Sequence, residues 1–279
     1  MVTVERILKG AVETVAVAIT GGTGAATVTA AKRGDGSDLT PAPAVSGTAG
    51  AYTVALTAAH TATLDALRLT VTAANGASAE VLVEVVGGFL FSLADARKPG
   101  HLEDAVEYPD ADVRAARLLA ERALEDACGC AFVPRYAREV LDGTGAPGDD
   151  LLVSAPFVRA VRSVAVNGTA WASGDVSAVV PQDHGALYSP SGFIAGRFAV
   201  AVEYEHGMEY PPGEVALAAL RLAEWALVDS PVDPRASAIT NPDGTYQLLV
   251  TAGMRGAVFS VPEANAVVQR YGGFRAGVA

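Results

Sequence analysis

The chain has 279 residues, a length that fits one large domain or two of ordinary size. Hydrophobic residues make up 51% of it and aromatics only 6%, so a sizeable core is available but must be built from many light Ala and Val contacts. A formal net charge of −11 argues against a groove that grips nucleic acid through clustered Lys and Arg, and no basic run favours a membrane surface.

The first ten residues, MVTVERILKG, carry Glu5, Arg6 and Lys9 where a signal peptide needs an apolar stretch. Residues 1–88 are rich in Ala, Thr, Val and Gly and alternate apolar with polar side chains. Tyr52, Val54 and Leu56 form one such row, Leu67, Leu69 and Val71 a second, and Val81, Val83 and Val85 a third. Period-two alternation puts each row on one face of a strand. Turn signals separate the rows: GGTG at Gly21, RGDGSD from Arg33, SGTAG from Ser46 and Asn75-Gly76. This texture predicts an all-β, immunoglobulin-like sandwich over 1–88. The likeness is one of architecture, because the segment has neither Cys nor Trp. Gly87-Gly88 is expected to be a hinge, followed by a helix-like segment from Ser92 that Pro99-Gly100 ends.

A helix is predicted next, over about 110–128. Asp110 is its expected N-cap, and Val113, Ala116, Ala120, Leu124 and Ala127 recur at helical spacing. Arg117 with Glu121, and Arg122 with Asp126, fall at i,i+4. Gly129 is the stop. The period then returns to two, giving a β-rich insertion over about 136–206, with Asp142-Gly143 and Asn167-Gly168 as hairpin pairs. A second helix follows Pro211-Pro212-Gly213 and runs over about 214–228 until Ser230-Pro231. Arg221 and Glu224 interrupt it, and it is too short to span a bilayer. An irregular loop is expected from Val232 to Asn241. A short third helix is predicted over about 261–271, with Ser260 and Glu263 at capping-box spacing. The fold class expected is therefore α+β and multidomain: the sandwich, then a helical part, residues 89–279, that carries the insertion.

Both cysteines lie in one stretch, CGCAFVPRYAREVLDG from Cys128. C-x-C without further ligands is poor zinc spacing, and His60, His101, His184 and His206 are scattered, so no metal or cofactor is expected. Two cysteines one residue apart also make no disulfide scaffold. No G-x-S-x-G elbow is present. Ser189 near Asp183-His184 reads as a loop, and GGTG lacks the Lys-Ser/Thr of a phosphate loop. Glu203, Glu205 and Glu209 bracket His206, and a solvated strand edge explains them better than a metal does. With no catalytic constellation left, the chain is not expected to be an enzyme.

From Asp110 onward the sequence resembles the head-to-tail connector (adaptor, or head-completion) proteins of long-tailed bacteriophages. The resemblance rests on the order of several pieces: a helix ending in AFVPR at Ala131–Arg135, VLDGTG at Val140–Gly145 and APFVRAVRSVAVNG from Ala155. VEYEHGMEYPPGEVALAALRLAEWAL from Val202, NPDGTYQLL from Asn241 and TAGMRGAVFSVPEANAVVQRYGG from Thr251 follow. Relatives often have Thr-Gly-Arg at the helix end. Cys128-Gly129-Cys130 departs from this and removes a positive charge. The resemblance makes the stretch from Cys128 a structural corner. Gly129 ends the helix, Phe132 tucks beneath it and Pro134 forces extended backbone.

It further implies a structural virion protein of the neck, assembled in the host cytoplasm. Such a protein forms a homo-oligomeric ring, usually of about twelve copies. Its partners are the portal protein on one side and a stopper or tail-terminator protein on the other. Double-stranded DNA passes through the lumen without specific binding, and no membrane is involved. The sandwich lies outside the family core and is expected to project from the ring. Portal docking is expected from the C-terminal helix, through Val261, Ala264, Val267, Val268, Arg270, Tyr271, Phe274 and Arg275. The bland alternative packs that helix on the other helices of its own subunit. A competing function is a surface-binding module whose sandwich recognises a carbohydrate or host surface. Its weakness is that Tyr52 is the sole aromatic before Phe89.

Overall fold

A computed structural model describes residues 3–143, 145, 150–228, 238–240, 246–248 and 257–273. The protein is mixed α+β, with several sheets, mostly in the N-terminal half, and five α-helices among the described residues. In chain order the first strands are β1 (Thr3–Leu8), β2 (Glu13–Ala18), β3 (Ala26–Lys32), β4 (Ala44–Thr48), β5 (Ala51–Leu56), β6 (Asp65–Ala73) and β7 (Ser78–Val86). Helices α1 (Leu93–Ala96) and α2 (Asp110–Cys128) follow. The next stretch holds β8 (Arg135–Gly143), β9 (Leu151–Leu152), β10 (Val158–Val166), β11 (Thr169–Ala170), α3 (Ser173–Ser177), β12 (Val180–Pro181), β13 (Ala186–Tyr188) and β14 (Gly196–His206). The chain continues with α4 (Gly213–Leu227), β15 (Ala238–Thr240), β16 (Tyr246–Leu248) and α5 (Pro262–Tyr271). No described helix is long and apolar enough to cross a membrane.

The chain divides into two compact units. Unit 1 is Met1–Gly88 with Val133–Glu209, and unit 2 is Phe89–Phe132 with Tyr210–Ala279. The break after Gly88 coincides with the expected boundary. The β-rich insertion, however, groups with the N-terminal sheets and not with the helices.

In unit 1, β1-β7-β6-β3 form one sheet and β2-β5-β4 another, with β1 parallel to β7 and the other pairs antiparallel. The alternating rows read from the sequence all point inward: Tyr52, Val54 and Leu56 from one sheet meet Leu67, Leu69, Val71, Val81, Val83 and Val85 from the other in a single core. The register places Leu67 opposite Val83 and Leu69 opposite Val81, so the rows stack pair on pair. Each such side chain contributes about 1.5–3 kcal/mol when fully buried. Asn75-Gly76 turns the chain between β6 and β7, with Gly76 at φ 85°.

The insertion adds the sheet β11-β10-β14-β8 and the small sheet β12-β13-β9 around a second core that includes Val164, Leu187, Phe193, Val202 and Tyr204. Asn167-Gly168 makes the expected hairpin, with both residues at positive φ between paired Val166 and Thr169. Asp142 and Gly143 are the last two residues of β8. Gly143 pairs with Gly196, and a Cβ there would sit 1.8 Å from the Ile194 carbonyl oxygen, so the glycine serves a close approach.

Long-range polar contacts bind the insertion to the N-terminal sheets. The Arg162 guanidinium donates to Glu205 Oε1 and, 2.7 Å away, to the Leu64 carbonyl, and lies over the Tyr136 ring. Arg33 pairs with Asp65 at 2.7 Å, and the Gly34 N–H donates to the same carboxylate. Gly34 faces Tyr136 so closely that a Cβ would lie 2.1 Å from Cε1.

In unit 2, α2 packs on α4 and α5 packs on both. The caps differ from expectation. Pro109 stands at the N-cap of α2 and Asp110 is its first helical residue, held by Arg97 at 2.6 Å. Proline suits this place because the first N–H groups of a helix lack partners anyway. Val261, not Ser260, is the N-cap of α5, and no side chain caps it. The turn before α5 is instead tied by Asn265, whose Oδ1 accepts from the Val258 and Phe259 N–H groups at 2.9 Å each. Ser92 caps α1 in a full capping box with Asp95. The expected loop from Val232 to Asn241 contains strand β15, paired antiparallel with β16, and otherwise lies outside the described residues.

Candidate functional site

Within the Cys128–Gly143 stretch a helix ends and a strand begins. α2 ends at Cys128, and Gly129 adopts the left-handed conformation (φ 70°, ψ 21°) with its N–H donating to the Glu125 carbonyl. Phe132 and Pro134 are buried, and β8 starts at Arg135. Cys128 and Cys130 are free, buried thiols. Burial, helped by Glu125, pushes the Cys128 thiol up to about 11 and the Cys130 thiol, also beside Cys128, up to about 12. Neutral thiols in this setting are packing groups, because the thiolate is the form that attacks or ligates.

The expected docking row on α5 faces inward. Val261, Ala264 and Val267 are buried, Val268 is half-buried and Arg270 is exposed. The row packs against α2 and α4 of the same chain, which is the arrangement the intramolecular alternative describes. Tyr271 meets the buried Phe132 edge-on, with centroids 5.4 Å apart and rings at 88°. Its hydroxyl donates to Glu214 Oε1 at 2.9 Å, and Arg270 pairs with the same carboxylate at 2.8 Å. The end of α5 is thus fixed to the start of α4. Phe274 and Arg275 lie outside the described residues.

The other candidates from the sequence resolve into separate contacts. Glu205 binds Arg162, Glu209 binds Arg159, and Glu203 stands 3.6 Å from Arg138. Burial, reinforced by Asp35, raises the Glu203 carboxyl. His206 is pushed down to about 4 by burial and by the neighbouring Arg135. Ser189 is buried whereas His184 is exposed in a 3-10 turn, so the two do not form a nucleophile and base. Among the described residues no group of three or more His, Cys, Asp or Glu is placed to hold a metal ion.

Two features of unit 2 escaped the sequence reading. Arg117 and Glu121 are buried, at 7% and 1% exposure, although their spacing reads as a surface ion pair. They hold the segment Phe89–Phe91. The Arg117 guanidinium lies 3.5 Å over the Phe89 ring and donates to the Phe91 carbonyl, and Glu121 accepts the Leu90 N–H at 2.8 Å. The one available signal was the apolar triplet directly after Gly87-Gly88. The second feature is a cavity of about 260 Å³ lined by Leu90, Phe91, Lys98, His101, Leu217 and Leu220, together with Asp95 and Ala216. His101, one of the lining residues, pairs through Nδ1 with Glu224, which also takes Arg221 at 2.7 Å. A mostly apolar lining with a few polar groups can receive a side chain or a small amphipathic molecule.

Comparison with known protein families, with curated proteins and with solved structures found no match to this chain.

Proposed function

We propose that the chain is a structural, non-enzymatic subunit of the connector ring between portal and tail in a long-tailed bacteriophage. One observation carries the reading. The order expected from the resemblance, helix, corner, β-rich insertion, helix, short helix, recurs as α2, Gly129–Pro134, β8–β14, α4 and α5, with helix bounds at Asp110–Cys128, Gly213–Leu227 and Pro262–Tyr271. The partners in this reading are further copies of the chain, the portal and the stopper or terminator, and the site of action is the virion neck. The net charge of −11 favours free passage of DNA, since a wall that repels phosphate does not hold it.

Residues 1–88 form an immunoglobulin-like module in this reading. The strand orders β3-β6-β7 and β2-β5-β4 correspond to the C-F-G and B-E-D sets of that architecture, with β1 added beside the last strand. A carbohydrate-recognising role for the module lacks its usual platform, because Tyr52 is 2% exposed and its hydroxyl donates to the Gly24 carbonyl.

The test is to image parent particles with the chain labelled at its N-terminus and to mix purified chain with portal rings under mass photometry. The expected result is label at the neck and a discrete ring-on-portal mass. Label on the capsid shell or tail fibre, or portal rings whose mass does not change, overturns the reading.

A further inference from the structure

We infer that Asn167-Gly168 is a site of spontaneous covalent modification, where the Gly168 amide nitrogen displaces the Asn167 side-chain amide as ammonia and water completes the change to aspartate or isoaspartate. Asn75-Gly76, the same dipeptide on the N-terminal sheets, is held against this chemistry. The inference concerns the covalent state of the chain and does not depend on the connector reading.

The reaction needs a free nucleophile and a free leaving group. The glycine nitrogen gives up its proton to a solvent base and attacks Asn Cγ. The Cγ–Nδ2 bond breaks, and the amide leaves as ammonia with a proton from water. Water then opens the resulting cyclic imide. Cleavage of its Cγ–N bond gives aspartate, and cleavage of its backbone C–N bond gives isoaspartate. Glycine suits the step because it has no Cβ to shield the nitrogen. At Asn167-Gly168 both groups are free. The two residues are exposed, and neither the Asn167 side chain nor the Gly168 N–H has a hydrogen bond among the described residues. Only the backbone N–H of Asn167 is bound, to the Ala199 carbonyl at 2.7 Å.

At Asn75-Gly76 both groups are bound. Asn75 Nδ2 donates to the Gly21 carbonyl at 2.7 Å, and Oδ1 accepts from the Thr23 and Ala77 N–H groups at 3.4 and 3.3 Å. The Gly76 N–H donates to the Ala73 carbonyl at 2.9 Å. Crowding does not separate the two pairs, because a Cβ on either glycine would meet nothing within 4 Å. The cost of opening the turn does. Asn75-Gly76 closes the β6–β7 ladder, which runs from Asp65 opposite Val85 to Thr72 opposite Ser78 over the buried core. Asn167-Gly168 is followed by β11, whose two residues are both exposed and pair only as Val166–Thr169 and Ala165–Ala170. A ladder this short opens locally at little cost. The products differ from asparagine in two ways. Each adds a negative charge, and isoaspartate also puts a further carbon into the backbone of a tight turn, so that Val166 and Thr169 lose their register. The next bond along, from the Trp171 N–H to the Val164 carbonyl at 2.8 Å, loosens with them.

The test keeps the full chain in mildly alkaline buffer and maps its peptides by mass spectrometry over time. The Asn167 peptide is expected to gain the mass of the Asn-to-Asp exchange and to split into aspartate and isoaspartate forms, roughly tenfold or more faster than the Asn75 peptide. Higher pH is expected to speed the change, since the attacking nitrogen must lose its proton. In urea the two pairs are expected to convert at similar rates, and Asn167→Gln is expected to abolish the shift at its position. Similar rates in the folded chain, a faster change at Asn75, or an Asn167 that changes only in urea overturns the inference. A tenfold difference that persists in urea also overturns it, because the fold would then not be its cause. Hydrogen exchange reads the consequence: the Trp171 N–H is expected to exchange faster in the isoaspartate fraction than in the Asn167→Gln variant. Equal protection in both overturns the loosening of β11.

Discussion

From Leu67 onward every inward-pointing residue of β6 is apolar, and so are those of β7, whereas α2 turns Arg117, Glu121 and Glu125 inward at successive four-residue steps. The two-sheet core is redundant. Many light pairs each contribute a little, and no one of them specifies a partner. The α2 face is specific, because two of its buried charges hold the backbone and ring of Phe89–Phe91. A buried charge with its partner is roughly neutral against a hydrophobic pair, but costly once that partner is gone. The two regions are therefore expected to fail differently.

The largest expected effect comes from removing residues 1–88. Arg162 then loses the Leu64 carbonyl, and Tyr136 loses Gly34 and the Arg33–Asp65 pair beside it. The insertion, Val133–Glu209, is expected to lose cooperative folding while α2, α4 and α5 keep their helical dichroism. A shortened chain that melts in one transition with full strand signal would break the grouping of insertion and sheets.

Arg117→Ala is the next largest. It takes the guanidinium from the Phe89 ring and the Phe91 carbonyl and is expected to cost about 3–5 kcal/mol in urea denaturation. Leu69→Ala in the sheet core costs about 2–5 kcal/mol through its cavity. The double variant Arg117→Met with Glu121→Leu sharpens the contrast, because removing both charges together is expected to recover most of the loss. Failure to recover would mean that Glu121 acts chiefly through the Leu90 N–H.

Acid sets two groups of unit 1 against each other. His206, in unit 1, is held down to about 4, below an ordinary value of about 6.5, and its Nδ1 is buried without a hydrogen-bond partner among the described residues. The unfolded chain therefore takes up this proton first as pH falls. The contribution is full above about pH 6.5 and is lost toward pH 4, at up to about 1.4 kcal/mol per pH unit. Glu203 has the opposite sign, since its raised carboxyl binds a proton more tightly in the folded state. The difference between parent and His206→Leu isolates the histidine: a flatter acid limb is expected in the variant. Identical limbs would place His206 in solvent.

Legibility followed the same division. Rows with period two gave the sheet core directly, because in a strand the face of each residue follows from position alone. The helices were legible from their stops, Gly129 above all, and from their apolar spacing. The buried face of α2 was not. Arg117 and Glu121 four residues apart satisfy the rule for a solvated pair, and only a segment from twenty-six or more residues away turns them into a latch. The grouping of the insertion was hidden for the same reason, since Arg162 reaches a carbonyl 98 residues upstream. The α5 row was correctly seen as apolar, but a stripe does not say whether its partner is in the same chain.

The smallest effects concern two glycines, one from each unit, whose roles differ in kind. Gly129 closes α2 with φ at 70°, where any residue with a Cβ meets its own carbonyl, so Gly129→Ala is expected to cost about 1–2 kcal/mol. Asn tolerates this conformation, and Gly129→Asn is expected to recover part of the loss. Gly87 has no unusual φ. Its N–H donates to the Pro134 carbonyl at 2.8 Å, and a Cβ would lie 2.7 Å from the Pro134 ring. Here the obstacle is space, so Ala and Asn both collide and Asn is expected to be the worse. The order of melting midpoints decides the matter: Asn above Ala at position 129, Ala above Asn at position 87. If Asn recovers stability at both, the Pro134 contact yields readily, and the glycine at the end of the sheets is there for chain flexibility, as the sequence reading of Gly87-Gly88 as a hinge expects.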